Sequence, residues 1–305
     1  MPDYKVLIPL DGSRVAEHAL VYVEALRALG ESKVRLLSVV DESEDFHALN
    51  TTEAREREVN LLSTYLREVA ADLHTHAGVE VETKVVCGPP GTSVLAEAQE
   101  YKPDLLLISS HGRSGVARWR IGSVADKVIR GASCNVLVVG PRATANEAWI
   151  DTHIMPPFRS VLVPLDGSAL AEKALEVARR IATTYGSTLH LVRAVTVPVM
   201  ADGMGSEAMY APQLLDAMVD GARDYVAQVA QKLGPSIIVK TEVELGAPAI
   251  LLADYATAHD IDLIVMTTHG RSGIARTALG SVTDRLLGQG NAPVLVVRAR
   301  PTNGH

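Results

Sequence analysis

Short apolar runs of strand length alternate with segments whose apolar residues recur at helical spacing. Lys5–Leu10 reads as a buried strand ended by the turn Pro9-Leu-Asp-Gly-Ser13. From Ser13 the residues Val15, Ala19, Leu20, Val23 and Leu26 mark one face of a helix that Gly30 closes. Val34–Val40 is a second strand, and a polar stretch over 43–58 leads into a helix through Leu61, Leu62, Tyr65, Leu66, Val69 and Leu73. Gly78 ends that helix and Val79–Val86 forms a third strand. After Gly88-Pro-Pro-Gly91 a helix over Thr92–Tyr101 is stopped by Pro103. Leu105–Ser109, a helix over Ser123–Arg130 and the strand Val136–Val139 complete the first half.

The second half repeats the order, with strands expected at Val161–Leu165, Leu189–Val195, Ile237–Val243, Leu263–Thr267 and Val294–Val297. Aligning Asp104–Val139 with Asp262–Val297 gives 17 identities in 36 positions without a gap, the mark of an internal duplication. Strands alternating with helices call for a parallel sheet with right-handed crossovers and helices on both faces. The expectation is therefore α/β: two doubly wound, five-stranded parallel-sheet domains of Rossmann-like kind. Their bounds are set at 1–142 and 158–305, with a polar linker over 143–157 that carries Pro156-Pro157.

Composition narrows the partners. A formal charge of −7 with no basic run, and an aromatic fraction of 4%, argue against a nucleic-acid partner. No apolar run reaches the ~18 residues of a membrane span. The first residues break into charge before a signal-peptide core could form, so a cytoplasmic protein is expected. Cys87 and Cys134 have no metal-ligand spacing and read as buried thiols in a reducing compartment.

Candidate chemistry gathers in two loops of each half. Gly112 and Gly270 follow a strand directly, where backbone N–H groups can turn toward an anion. Ten residues on, Gly122-Ser-Val-Ala-Asp126 and Gly280-Ser-Val-Thr-Asp284 open a helix in a capping-box pattern. A helix N-terminus favours phosphate, and Ser123 or Ser281 could cap the helix, donate to a phosphate oxygen, or switch between the two. Arg113 and Arg271 suit a phosphate, a carboxylate across an interface, or solvent. His111 and His269 have no nearby nucleophile and fit a structural role. Asp11 and Asp166, just past the first strand of each half, suit a ribose hydroxyl or a helix cap. In a doubly wound sheet these loops would share one crevice if their strands are neighbours where the winding reverses. A Gly-x-Gly-x-x-Gly fingerprint after strand one, a Walker loop, a metal cluster and a Gly-x-Ser-x-Gly elbow are all absent from the sequence.

These residues resemble the universal stress protein family in tandem form, over nearly the whole chain. The family motif Gly-x2-Gly-x9-Gly-[Ser/Thr] is matched by Gly112, Gly122 and Ser123, and again by Gly270, Gly280 and Ser281. Ser109 and Thr267 stand at the first glycine. The resemblance implies an adenine nucleotide alpha hydrolase-like fold that binds ATP, or AMP or ADP, with Mg only through the nucleotide. It implies that Asp11 and Asp166 contact the nucleoside, that Pro9 and Pro164 shape the same loop, and that Val39 and the smaller Ala194 line the adenine pocket. Arg113, Gly115, Val124, Arg271, Gly273 and Val282 complete the expected nucleotide-binding set. It also implies a stress-response regulator with at most weak ATP hydrolysis, paired internally through its last strands and forming a homodimer. The alternatives are a nucleotide-free dimeric scaffold and a slow ATP hydrolase of the same fold.

Overall fold

The computed structural model describes residues 3–25, 30–42, 51–111, 121–140, 158–196, 212–267, 280–289 and 292–298. The first half runs β1 (Asp3–Pro9), α1 (Arg14–Glu17), β2 (Glu31–Asp41), α2 (Thr52–Ala77), β3 (Glu80–Gly88), α3 (Pro90–Tyr101), β4 (Leu105–Ser109), α4 (Ser123–Gly131) and β5 (Asn135–Val139). The second runs β6 (Ser160–Pro164), α5 (Ala169–Glu172), α6 (Ala174–Tyr185), β7 (Thr188–Val195), α7 (Pro212–Leu233), β8 (Val239–Leu245), α8 (Pro248–Ala258), β9 (Leu263–Thr267), α9 (Ser281–Gln289) and β10 (Val294–Val297).

All ten strands form one sheet in the order β3-β2-β1-β4-β5-β10-β9-β6-β7-β8. Within each half the neighbours are parallel. The halves join antiparallel at β5 and β10, with Leu137 opposite Leu295. The pairing of last strands expected from the family therefore exists inside the chain, and the carboxyl ends of the two strand sets point in opposite directions. The winding reverses between β1 and β4, which pair at Val6 with Leu105, and between β6 and β9, which pair at Val161 with Leu263. Asp104 and Asp262, the first residues of the duplicated stretch, tie these neighbours together. Lys5 N–H donates to Asp104 Oδ2 (3.1 Å), and the N–H groups of Arg159 and Ser160 donate to Asp262 Oδ2 (both 2.8 Å).

The sheet is covered on both sides. One core gathers α1, α2, α6 and α7 over Val6, Ile8, Val161 and Val163; the other gathers α3, α4, α8 and α9 over Leu7, Leu106, Leu162 and Ile264. Because β4 and β9 are buried on both faces, they read as unbroken apolar runs rather than alternating ones. At the junction Tyr22 stacks on Phe158 (centroids 5.9 Å), Phe158 meets Tyr185 edge-on (5.8 Å), and Tyr185 O–H donates to Ala25 O (2.7 Å).

Two helices depart from their sequence patterns. Of the helix expected from Ser13 to Gly30, the described residues form a single α-turn followed by a 3₁₀ segment, His18–Tyr22, and Leu26 lies outside the described residues. Ala19–Val23 are five consecutive buried residues, which need contacts all round rather than along one stripe. Helix α2 starts at Thr52, inside the polar stretch over 43–58 that leads into it. Thr51 Oγ1 accepts from Ala54 N–H, and Glu53 complements the helix dipole. Its first turns are solvent-facing and so carry no apolar period. Cys87 lies exposed on the edge strand β3, contrary to the buried thiol expected there, whereas Cys134 is buried; neither is in a disulfide.

Candidate functional site

Each half builds the same turn after its first strand. Ser13 donates its N–H (3.0 Å) and O–H (2.6 Å) to Asp11 Oδ1, and its own Oγ accepts from Ala16 N–H (3.2 Å), capping α1. Ser168 treats Asp166 Oδ1 in the same way (2.9 and 2.6 Å) and caps α5 through Ala171 N–H (3.1 Å). Between acid and serine stands a glycine in the left-handed region, Gly12 at φ +78° and Gly167 at φ +88°, which a side chain would strain. The capping job considered for the aspartates thus belongs to Ser13 and Ser168. The aspartates instead fix the serines, with the carboxylate held at the carboxyl end of the strand.

The second loop lies on the neighbouring strand. Ser110 is fully buried, donates its N–H to Val139 O (2.8 Å), and its Oγ lies 2.9 Å from His111 Nδ1. Gly122 N–H donates to Ser110 O (2.8 Å), which seats the start of α4 against the end of β4. Gly122 has an ordinary φ of −61°, so its glycine answers a different need. A β-carbon there would stand 3.2 Å from Ser110 O and 3.8 Å from His111 Cα, so a side chain would press the helix start away from the strand end by a few tenths of an ångström.

The capping box expected at Ser123 and Asp126 does not form. Gly122 is the N-cap residue, no side chain caps the helix, and Ser123 is its first helical residue and exposed. Asp126 accepts from Arg130 Nε instead (2.9 and 3.0 Å to the two oxygens), an i,i+4 pair on the helix flank. First-turn amides have no partner within a helix, so an uncapped start at a crevice suits an anion. In the second half Gly280 O accepts from Asp284 N–H (2.9 Å), and Ser281 is likewise exposed.

Val39 and Val124 share the face of the sheet that carries α3 and α4, and Ala194 and Val282 share the matching face of the second half. Pro9 and Pro164 end β1 and β6 and pair with Leu37 and Val192. Ser109 and Thr267, at the first-glycine position, are 6% and 7% exposed. Gly112, Arg113, Gly115, Gly270, Arg271 and Gly273 lie outside the described residues. The structure thus brings Pro9, Asp11, Gly122 and Ser123 to the ends of adjacent strands, and places Pro164 and Asp166 at the end of β6 beside β9.

One difference between the crevices was not visible in the motif. Ser38 is buried and donates to Leu10 O (2.8 Å), whereas the register-equivalent Arg193 lays its guanidinium 4.9 Å over the ring of Tyr225. Tyr225 O–H donates to Glu172 Oε1 (3.0 Å), matching Tyr65 and Glu17 in the first half (3.0 Å). Burial, then the bond to Glu172, pushes the Tyr225 hydroxyl above its ordinary range.

A duplicated, doubly wound α/β sheet thus carries a carboxylate turn at each point where its winding reverses, with an uncapped helix start beside the first. The model of the universal stress protein family matches residues 4–140 and 157–298, and the chain belongs to that family. It is 25% identical over 303 residues to universal stress protein Rv2005c of Mycobacterium tuberculosis, with 96% of both chains covered. It is 30% identical over 143 residues to universal stress protein MJ0531 of Methanocaldococcus jannaschii, covering 46% of this chain and 82% of that one. A crystal structure of a universal stress protein from Archaeoglobus fulgidus shares the fold along 97% of both chains, at a TM-score of 0.69 and 19% identity. No described helix is long and apolar enough to cross a membrane.

Proposed function

We propose that this chain is a cytoplasmic, nucleotide-responsive stress regulator that holds ATP or AMP in one or both crevices and acts as a homodimer, without nucleic acid as a partner. The observation that carries the reading is the uncapped start of α4 at the reversal point, with Gly122 packed on Ser110 O and Ser123 exposed beside it. In this reading the Ser123 and Ser281 hydroxyls and the first-turn amides receive phosphate, with Gly112, Arg113, Gly270 and Arg271 closing over it. Asp11 and Asp166 take the nucleoside beside Val39 and Ala194, and Mg arrives only with the nucleotide. A second reading, a nucleotide-free scaffold, draws on the buried Ser109 and Thr267 where the family motif has glycine.

A ligand that binds only the folded state stabilises it by about 2.7 kcal/mol at a hundredfold excess over its dissociation constant. Millimolar ATP is therefore expected to raise the melting temperature, and denaturing freshly purified protein is expected to release nucleotide for mass spectrometry. Because Ser123 caps nothing, Ser123→Ala should leave the ligand-free melt unchanged while shrinking the ATP shift. No melting shift and no released nucleotide would leave the scaffold reading in its place.

A further inference from the structure

The sheet ends on two edges, β3 and β8, which are the same strand of the repeat with different charges. The backbone of β8 faces two ways. Ile238 O accepts from Leu189 N–H (2.8 Å) and Gly246 N–H donates to Val195 O (3.0 Å), so the even-numbered residues bond inward to β7. By the alternation of a parallel ladder, the N–H and C=O groups of Val239, Thr241 and Val243 point outward from the edge. The strand is seven residues long, without proline, and its Lys240, Thr241 and Glu242 are exposed. Its outward backbone groups offer a template for another strand, and its charges decide which strand can pair there.

We propose that β8 is a self-docking edge. Two copies of this chain pair antiparallel through β8 about a two-fold axis at Thr241, joining two ten-stranded sheets into one. The proposal rests on the homodimeric reading above and names its surface. In this register the outward backbone groups of Thr241 meet those of Thr241 in the second copy, and Val239 meets Val243, so each pair exchanges N–H···O bonds. On the face toward α8, Lys240 stands opposite Glu242 twice over, and Ile238 opposite Glu244. Neither Lys240 nor Glu242 has an ion pair among the described residues, so both charges are available. Beside them lies a groove of about 380 Å³ between β8 and α8, with Leu245, Ile250 and Tyr255 in its wall. Ile238 is 64% exposed and Ile250 47%, and docking brings Ile238 of the second copy to the mouth of that groove.

The other edge is the counter-example. At the matching positions β3 has Glu82 and Lys84, and both are already engaged: Glu82 with Arg35 (2.6 Å), Lys84 with Glu97 (2.6 Å) and Glu100 (3.2 Å). Pairing β3 with β8 in the same register would set Glu82 against Glu242 and Lys84 against Lys240. Like charges directly opposed disfavour that open-ended assembly and leave a closed dimer.

Sedimentation equilibrium of the full chain tests this. The unmodified protein is expected to be a dimer. K240E and E242K, each opposing like charges at both pairs, should weaken the dimer about tenfold or more, and the double swap K240E/E242K should restore it. Thr241→Pro removes only an outward N–H and should yield a folded monomer by circular dichroism. Dimers unchanged in K240E and Thr241→Pro, or a loss that the double swap does not recover, would overturn the β8 surface alone. A monomeric unmodified protein would overturn the dimer with it. The ATP melting shift is read independently of both.

Discussion

Three positions on the outer flank of each half make the sharpest contrast in the molecule. In the first half they hold Arg35, Glu97 and Tyr101; in the second, at the same register and spacing, they hold His190, Tyr255 and His259. Glu97 is 3% exposed and takes two cations, Arg35 Nη1 (2.8 Å) and Lys84 Nζ (2.6 Å), while Arg35 lies 3.9 Å over the Tyr101 ring. Burial alone would raise the Glu97 carboxyl, but the bonds from Lys84 and Arg35 outweigh it and hold it below its usual range. In the second half His190 Nδ1 lies 2.9 Å from Tyr255 Oη, and Tyr255 and His259 pack at 4.1 Å. Burial, with help from Lys240 and His259, lowers His190 to about 4. One backbone therefore supports a charged network and a neutral aromatic one. Burial of this flank is what the fold requires, and the chemistry that satisfies the buried groups is open.

The largest effect is expected from Glu97→Leu. It leaves Arg35 and Lys84 without their shared carboxylate, and loss of one partner of a buried ion cluster costs about 3 kcal/mol. Urea unfolding followed by probes in each half should show the loss in the first half. If Glu97→Leu is neutral, the cluster does no more for stability than an apolar contact.

Acid should separate the halves next. His190 has a folded pKa below its unfolded value, so the unfolded chain binds the proton more readily, and stability falls as the pH drops from about 6.5 to about 4. The full loss is on the order of 3 kcal/mol at 1.36 kcal/mol per unit. Glu97 is also depressed, so its contribution is present above about 4.5 and is lost only below that. The second half is expected to weaken first. Stability measured between pH 7 and pH 5 should have a slope that His190→Gln flattens; an equal slope in that variant would remove His190 as its source.

The smallest effect is expected from Tyr255→Phe, which takes the hydroxyl from His190 and should cost about 1 kcal/mol. The comparison sharpens if the variant also shifts the acid transition, because the Tyr255 hydroxyl stands 2.9 Å from His190 Nδ1.

Much of this protein was legible in its residues. The apolar runs located the strands because strands buried on both faces must be apolar throughout, and the duplicated Gly-Ser-Val-x-Asp located the helix starts. The roles around those helix starts were less legible. Ser123 and Asp126 have the spacing of a capping box, yet Gly122 takes the cap and Asp126 turns to Arg130, because a contact of 2.8 Å with Ser110 O sets where the helix begins. Ser13, read as the end of a turn and the start of a helix, is the cap of α1.

The sequence by itself determined the strand and helix order, the duplication, and which loops carry the glycines, serines and aspartates, since these follow from local period and spacing. Only the tertiary structure decided that β1 lies beside β4, that β5 meets β10 antiparallel, and that Arg35 reaches Glu97. Those contacts join residues far apart in the chain, and their energies depend on which groups burial leaves to be satisfied together rather than on any residue's own preference.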